Sequence, residues 1–292
     1  MREAEASPAS RDDGRMPASR REVPLLLWRD SAASTNTELV GLAAHPDLPA
    51  FTTLVTTDQT AGRGRLDRAW VAPAGTALAV SVLVRGASPD GRPIGAEGIG
   101  WLPLAAGAAM FDAITAVLPR GAAVGIKWPN DIQLDGLKVC GILSELVPAP
   151  GSASTSAASE PAVVIGAGVN LTMSAQQLPV PTATSLALAG ADATDPDGLA
   201  DRVLAGYLRA LTALIGDLWN SGGDASRSGL RAAVVERCST IGRDVRVELP
   251  GGGQLVGRAV GIDDAGRLQV RGDDERVVAV AAGDVIHVRW SE

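Results

Sequence analysis

The chain has 292 residues, 46% hydrophobic and 20% charged, with a formal net charge of −7, enough apolar material for about two globular domains. The acidic balance argues against broad, charge-driven binding to DNA or to an anionic membrane surface and leaves room only for a local basic pocket. All but two of the 26 basic residues are arginine, and the two lysines, Lys127 and Lys138, fall close together.

Two cysteines, Cys140 and Cys238, and two histidines, His45 and His287, offer neither a disulfide framework nor a Cys/His zinc cluster, which points to a reduced, cytoplasmic setting. No uninterrupted run of about 18 apolar residues occurs, so a membrane span is not expected. Residues 1–23 lack an apolar h-region, balance arginines against acids among Ala, Ser and Pro, and read as a disordered tail.

From Val23 onward, short apolar runs alternate with Gly/Pro punctuation and amphipathic stretches. Residues 25–28 form a strand candidate; Thr35 and Glu38 have capping-box spacing and open a helix over about 36–44. Strands are expected at 52–57 and 76–84, separated by a Gly/Arg-rich segment, followed by a buried helix at 98–118 that Pro119 and Gly121 end. Strands at 124–128 and 141–147 flank a Pro-Asn-Asp turn; 148–161 is a low-complexity loop, and 162–171 returns to strand.

The clearest helix is 196–219, with apolar residues at three- and four-residue steps, Asp195 as cap and Pro196 at its first position. A short helix to about Cys238 precedes five short strands at 244–249, 254–262, 268–270, 277–280 and 285–289, the pattern of a small β-barrel. Trp28, Trp101, Trp219 and Trp290 read as packing residues rather than ligand platforms.

Four segments carry chemistry. In Ala61 to Trp70, arginines alternate with glycines: the glycines allow close backbone approach, and the guanidinium forks suit phosphate or carboxylate, although a solvated Arg-rich loop has the same composition. Lys127-Trp-Pro-Asn-Asp131, followed by Lys138 to Glu145, retains lysine where the chain otherwise uses arginine, as a compact ammonium beside a reacting phosphate would require. Chance placement and an Asx-turn at Asn130 and Asp131 explain the same residues. Val164-Ile-Gly-Ala-Gly-Val-Asn170 is a strand with two glycines, a sign of close approach or of a bulge, and Ser34-Thr35-Asn36 fits either a cap or a ligand contact.

Taken in order, STN, QTAGRGRxxRxW, KWPNDI with KxxGILxE, and IGAGVNL resemble the biotin protein ligases over about 25–290. The resemblance implies an α+β protein: a mixed-sheet, biotin/lipoate-ligase-like catalytic domain over 24–238, then an SH3-like barrel over 239–292. It also implies that biotin and ATP, with Mg²⁺, form biotinyl-5′-adenylate, which is then passed to a lysine of a biotin carboxyl carrier domain. Catalysis would fall to Arg65 and Lys138. Ser34, Thr35, Asn36, Gln59, Gly62, Arg63, Gly64, Arg65, Lys138 and Gly141 would face biotin, and Arg65, Arg68, Trp70, Lys127, Asn130, Asp131, Lys138 and Asn170 would face ATP, Asp131 through the metal.

Two positions depart from the family pattern. Asp67 replaces a glycine and Leu66 a frequent basic residue, which lowers the loop's flexibility and charge. Only 33 residues precede Ser34, too few and too polar for a DNA-binding domain, so no nucleic acid or membrane partner is expected. A lipoate or other acyl-carrier ligase and a non-catalytic adenylate sensor are the competing readings.

Overall fold

The structure is a computed structural model and describes residues 14–45, 47–65, 68–147, 161–249, 252–281 and 283–287. Seven strands form one sheet: β1 (Leu26–Trp28), β2 (Thr53–Thr56), β5 (Ala77–Arg85), β6 (Val124–Lys127), β7 (Asp131–Leu134), β8 (Leu137–Val147) and β9 (Ala162–Asn170). Their order is β1-β2-β5-β9-β8-β7-β6, with only the β1–β2 pair parallel. Strand β7 is not expected from the sequence as a separate element; the Pro-Asn-Asp turn is the corner of a hairpin in which Lys127 pairs with Asp131.

The two faces of this sheet are covered unequally. One is packed by α2 (Gly95–Val117) and α3 (Pro196–Asn220), long helices whose apolar sides share a single core with β5, β8 and β9. Helix α2 is the one described helix long and apolar enough to cross a membrane, but most of it is buried against α3 and the sheet. Among the described helices, α1 (Thr35–Leu42), eight residues long, is the one that packs on the other face, through a small cluster that includes Leu27, Leu39, Leu54, Leu83 and Val164. A helix of this length spans about 12 Å and leaves part of the face to be lined by other elements.

Register decides what lies on that part, because alternate residues of a strand point to opposite faces. Ala79, Gly168 and Gly141 are paired across β5, β9 and β8, and Ser81, Gly166 and Leu143 form the next row. Glycine and alanine leave a trough where larger side chains would have filled it.

Helix α4 (Leu230–Arg237) leads into β10 (Asp244–Glu248), β11 (Gln254–Ile262), β12 (Leu268–Arg271), β13 (Val277–Val280) and β14 (Asp284–His287). All five expected strands form, ordered β13-β12-β11-β10-β14 and antiparallel throughout. Among the described residues the sheet is open, since β13 and β14 stand at opposite edges and no ladder closes a barrel. Residues 288 and 289 of the expected last strand, and 148–160 of the low-complexity loop, lie outside the described residues, as does Trp290. The turn between β11 and β12 is held to the larger unit by tryptophans: Trp101 Nε1, on α2, donates to Asp264 O at 2.8 Å, and Trp128 Nε1, just after β6, to Gly266 O at 3.1 Å.

The tail ends earlier than the sequence suggests. Met16 is buried, and Ser19–Arg21 form a 3₁₀ turn whose start is capped by α3: Asp201 accepts from Ala18 N, Ser19 N and the Ser19 hydroxyl. Glu22 pairs with Arg209 at 2.6 Å. A polar, Arg-rich composition hides these contacts because the partners lie some 180 residues away in sequence. Residues 1–13 are outside the described set.

Candidate functional site

The trough is the floor of an open cleft of about 540 Å³. One wall is the start of α1. Ser34, in extended conformation, caps the helix by accepting from Thr37 N, while Glu38 receives Arg29 Nε at 2.6 Å. The expected Thr35–Glu38 capping box therefore does not form; the cap sits one residue earlier, which frees Thr35 for the cleft.

Thr35 gives both its N–H and its hydroxyl to Gln59 Oε1, at 2.8 and 3.1 Å. Behind it, the buried Ser81 hydroxyl lies 2.8 Å from Thr35 Oγ1 and 2.6 Å from Asn36 Oδ1. Asn36 Nδ2 donates to Leu143 O and Glu145 Oε1, so its amide is held from both ends. The rigidity has a steric cause as well: a Cβ at Gly166 would overlap the Asn36 amide, and one at Gly168 would come within 2.8 Å of the Trp70 ring. The two strand glycines thus mark close approach rather than a bulge.

A lid faces this floor. Strands β3 (Gly62–Arg63) and β4 (Ala69–Trp70) form a two-residue hairpin, so the Arg-rich segment is an element of its own that the sequence pattern leaves unassigned. Arg63 Nη2 reaches Glu145 Oε1 and Oε2 at 3.0 and 2.9 Å on one rim. On the other rim, Arg65 donates to Asn130 Oδ1 at 2.8 Å and to Gly283 O of the small sheet at 3.3 Å. Both of Arg65's acceptors are neutral, and among the described residues no carboxylate pairs with it.

Lys138 is the third cation of the cleft. Its ammonium sits 2.7 Å from Asp131 Oδ1 and lies over Gly141, where a Cβ would come within 2.9 Å of Nζ. Gly141 therefore makes room first for the lysine itself. Asp131 Oδ1 has no aligned hydrogen bond, so its contact with Lys138 is an ion contact in a nearly buried setting. Nearby Cys140 points into the core, where burial pushes its thiol up to about 12, so it offers no nucleophile at neutral pH.

Of the residues expected at the site, Ser34, Thr35, Asn36, Gln59, Arg63, Gly64, Arg65, Trp70, Asn130, Lys138 and Gly141 line the cleft. Gly62, Arg68, Lys127, Asp131 and Asn170 do not line it. Gly62 is a buried residue of the hairpin itself, where a Cβ would strike Gln59 Nε2 and Trp70. Lys127 ends β6 opposite Asp131, and Arg68 O receives the Gly64 N–H that closes the lid turn. Asn170 spends its amide on Thr184 O at 2.8 Å, tying the loop after β9 to the sheet. Motif reasoning misses Ala79 and Ser81, and it quotes Glu145 without giving it a task. Period-two alternation could have found them, since they share the cleft face of β5 and β8 with residues already singled out.

A small-residue sheet face walled by hydroxyl and amide groups, under a lid bearing a cation without a carboxylate partner, defines a binding cleft for a modest-sized anionic ligand. Family comparison identifies the chain's relatives. Residues 28–170 match the Biotin/lipoate A/B protein ligase family and 240–288 the Biotin protein ligase C terminal domain. A biotin–acetyl-CoA-carboxylase ligase of Mycobacterium tuberculosis is 40% identical over 90% of each chain. Another, from Paracoccus denitrificans, is 34% identical over 85% of this chain and 95% of its own. Among solved structures, the biotin protein ligase of Aquifex aeolicus matches with a TM-score of 0.66 at 19% identity, over 91% of this chain and 100% of that one, which speaks for the fold. The chain belongs to the biotin protein ligase family, as an enzyme of the biotin–acetyl-CoA-carboxylase ligase class.

Proposed function

We propose that the chain joins biotin to ATP as biotinyl-5′-adenylate, releasing pyrophosphate, and passes the biotinyl group to one lysine of a biotin carboxyl carrier domain, releasing AMP. A single arrangement carries the reading: Lys138 and Arg65 stand in one cleft, the first over Gly141 and the second without a carboxylate partner. In the first half reaction a biotin carboxylate oxygen attacks the α-phosphorus of ATP and pyrophosphate leaves. Charge builds on the phosphoryl oxygens, and cations already in position stabilise it without reorganising. Lys138 would bridge the carboxylate and the α-phosphate, leaving Asp131 as it does so, and Arg65 would cover the same oxygens from the lid.

The polar wall accounts for biotin. Gln59 Nε2 and the Ser34 hydroxyl donate to no acceptor among the described residues and are donors the wall can offer, while the Ser34 and Thr35 hydroxyls retain acceptor capacity. Asn36 would act by shaping the floor. Trp70 and Asn130 would lie toward the nucleotide, and Lys127, Arg68 and Asn170 would support that side from outside the cleft. A Mg²⁺ ion would have Asp131 as its carboxylate and ATP phosphates and water as its remaining ligands, a donor set that Mg²⁺ accepts. Among the described residues no group of three His, Cys, Asp or Glu side chains gathers to hold a metal by itself. When bound, the ion would neutralise phosphate charge. The setting proposed is cytoplasmic, with the carrier domain as macromolecular partner.

Biotin-dependent pyrophosphate release from ATP tests the assignment. Lys138→Ala is expected to lower it by at least about 100-fold, and near-normal release would remove Lys138 from the mechanism. Calorimetric titration with biotin and with lipoate is expected to give binding to biotin alone; preference for lipoate would redirect the reading to its sister ligases.

A further inference from the structure

The motif that supplies Lys138 and Gly141 ends in Glu145, a residue to which the mechanism gives no task. Glu145 lies on β8 four residues beyond Gly141, on the same face, at the edge of the trough. Its carboxylate is shared by the two halves of the cleft. One oxygen accepts from Asn36 Nδ2 at 2.8 Å, and both oxygens accept from Arg63 Nη2, at 3.0 and 2.9 Å. Asn36 belongs to the floor, fixed by Ser81 and by the lack of a side chain at Gly166; Arg63 belongs to the lid hairpin, with Thr37 Oγ1 as its other partner at 3.1 Å.

We propose that Glu145 is a positioning residue that latches the arginine lid to the pocket floor, so that one carboxylate sets both the seat of Asn36 and the closed position of Arg63. The hairpin gives the latch its leverage. With two residues per strand, its backbone pairing is too short to hold the lid by itself, and the arginine side chains, with the Trp70 ring over Gly168, supply the attachment. Arg65 grips the far rim through neutral acceptors, whereas Arg63 meets an opposite charge at Glu145. Arg65 and Lys138 keep anchors of their own, at Asn130, Gly283 and Asp131, so the latch would govern ligand retention more than the chemical step.

The inference rests on the cleft taking biotin, and its test separates the two claims. In the full-length Glu145→Gln variant, the biotin concentration that half-saturates pyrophosphate release is expected to rise about tenfold, with turnover at saturation within about twofold. Arg63→Gln should raise it less, because Asn36 keeps its partner, and the double variant should match Glu145→Gln because one contact is lost either way. Independently of any ligand, tryptic cleavage after Arg65 and Arg68 should be about tenfold faster in both single variants than in the wild type. Unchanged half-saturation, strictly additive losses, or unchanged cleavage would each overturn the latch. Should Glu145→Gln fail to fold, cleavage of Arg63→Gln, altered at the more exposed partner, decides for or against the latch by itself. A wild type that makes no adenylate would refute the biotin reading, while the cleavage assay would still decide the latch.

Discussion

The floor and the lid of the cleft are built by opposite means. The floor consists of three long strands in register, with glycines that admit no other side chain, and it is braced against the wall by the hydrogen bonds that join Ser81, Thr35, Asn36 and Gln59. The lid is a two-residue hairpin whose arginines reach outward to Glu145, Asn130 and Gly283. A ligand's shape is therefore read by a surface that cannot adjust, and its charge is met by groups that can move. Such a division suits a reaction in which one substrate must be gripped while charge develops on another.

The contrast predicts that lid changes cost activity and floor changes cost stability as well. Arg65→Ala should lower biotin-dependent pyrophosphate release by about 100-fold and leave the melting temperature almost unchanged. A comparable loss of stability would mean that the lid is part of the scaffold. Gly166→Ala forces a methyl group against the Asn36 amide, which Ser81 and Glu145 hold in place. Urea denaturation should show a destabilisation of about 1–3 kcal/mol, together with weakened biotin binding. Stability equal to the wild type would show that the floor can yield.

A smaller effect is expected at the junction of the two regions. Ser34→Ala removes the α1 cap and should cost about 1 kcal/mol; a loss of ligand affinity larger than this would assign the hydroxyl a direct contact.

Farther from the cleft, burial, with Lys127 and Arg243 adding positive charge, pulls the pKa of His287 down from 6.5 to about 4. Between these values the unfolded chain binds the proton and the folded chain does not, so stability falls as the pH drops from about 6.5 toward 4. Since the ring is only half-buried, the slope is shallow. Denaturation midpoints of His287→Gln over that range should decline less steeply than those of the wild type, and parallel curves would contradict the assignment.

Much of this is legible in the chain because it is local. The strand at 254–262, the long helix with its Asp195 cap, and the glycines of IGAGVN each carry their signal within a few residues. Most of the cleft-lining residues come from motifs of the same kind. What stays hidden depends on partners distant in sequence. Asp201 captures Ser19 across 182 positions, and Glu145 meets Arg63 across 82. The loop that Asn170's amide holds through Thr184 is likewise not recorded in the motif that Asn170 ends. The cap falls on Ser34 rather than Thr35 because Gln59 and Ser81 compete for the threonine, and no local pattern records that competition.

The central claim is that this cleft biotinylates a carrier. Incubating the purified chain with ATP, Mg²⁺, biotin and a biotin carboxyl carrier domain, followed by intact-mass and peptide mass spectrometry, tests it most directly. One biotinyl group on a single carrier lysine, lost when Lys138 is replaced by alanine, is the predicted result. An unmodified carrier, or one labelled equally by the Lys138→Ala chain, would contradict the account.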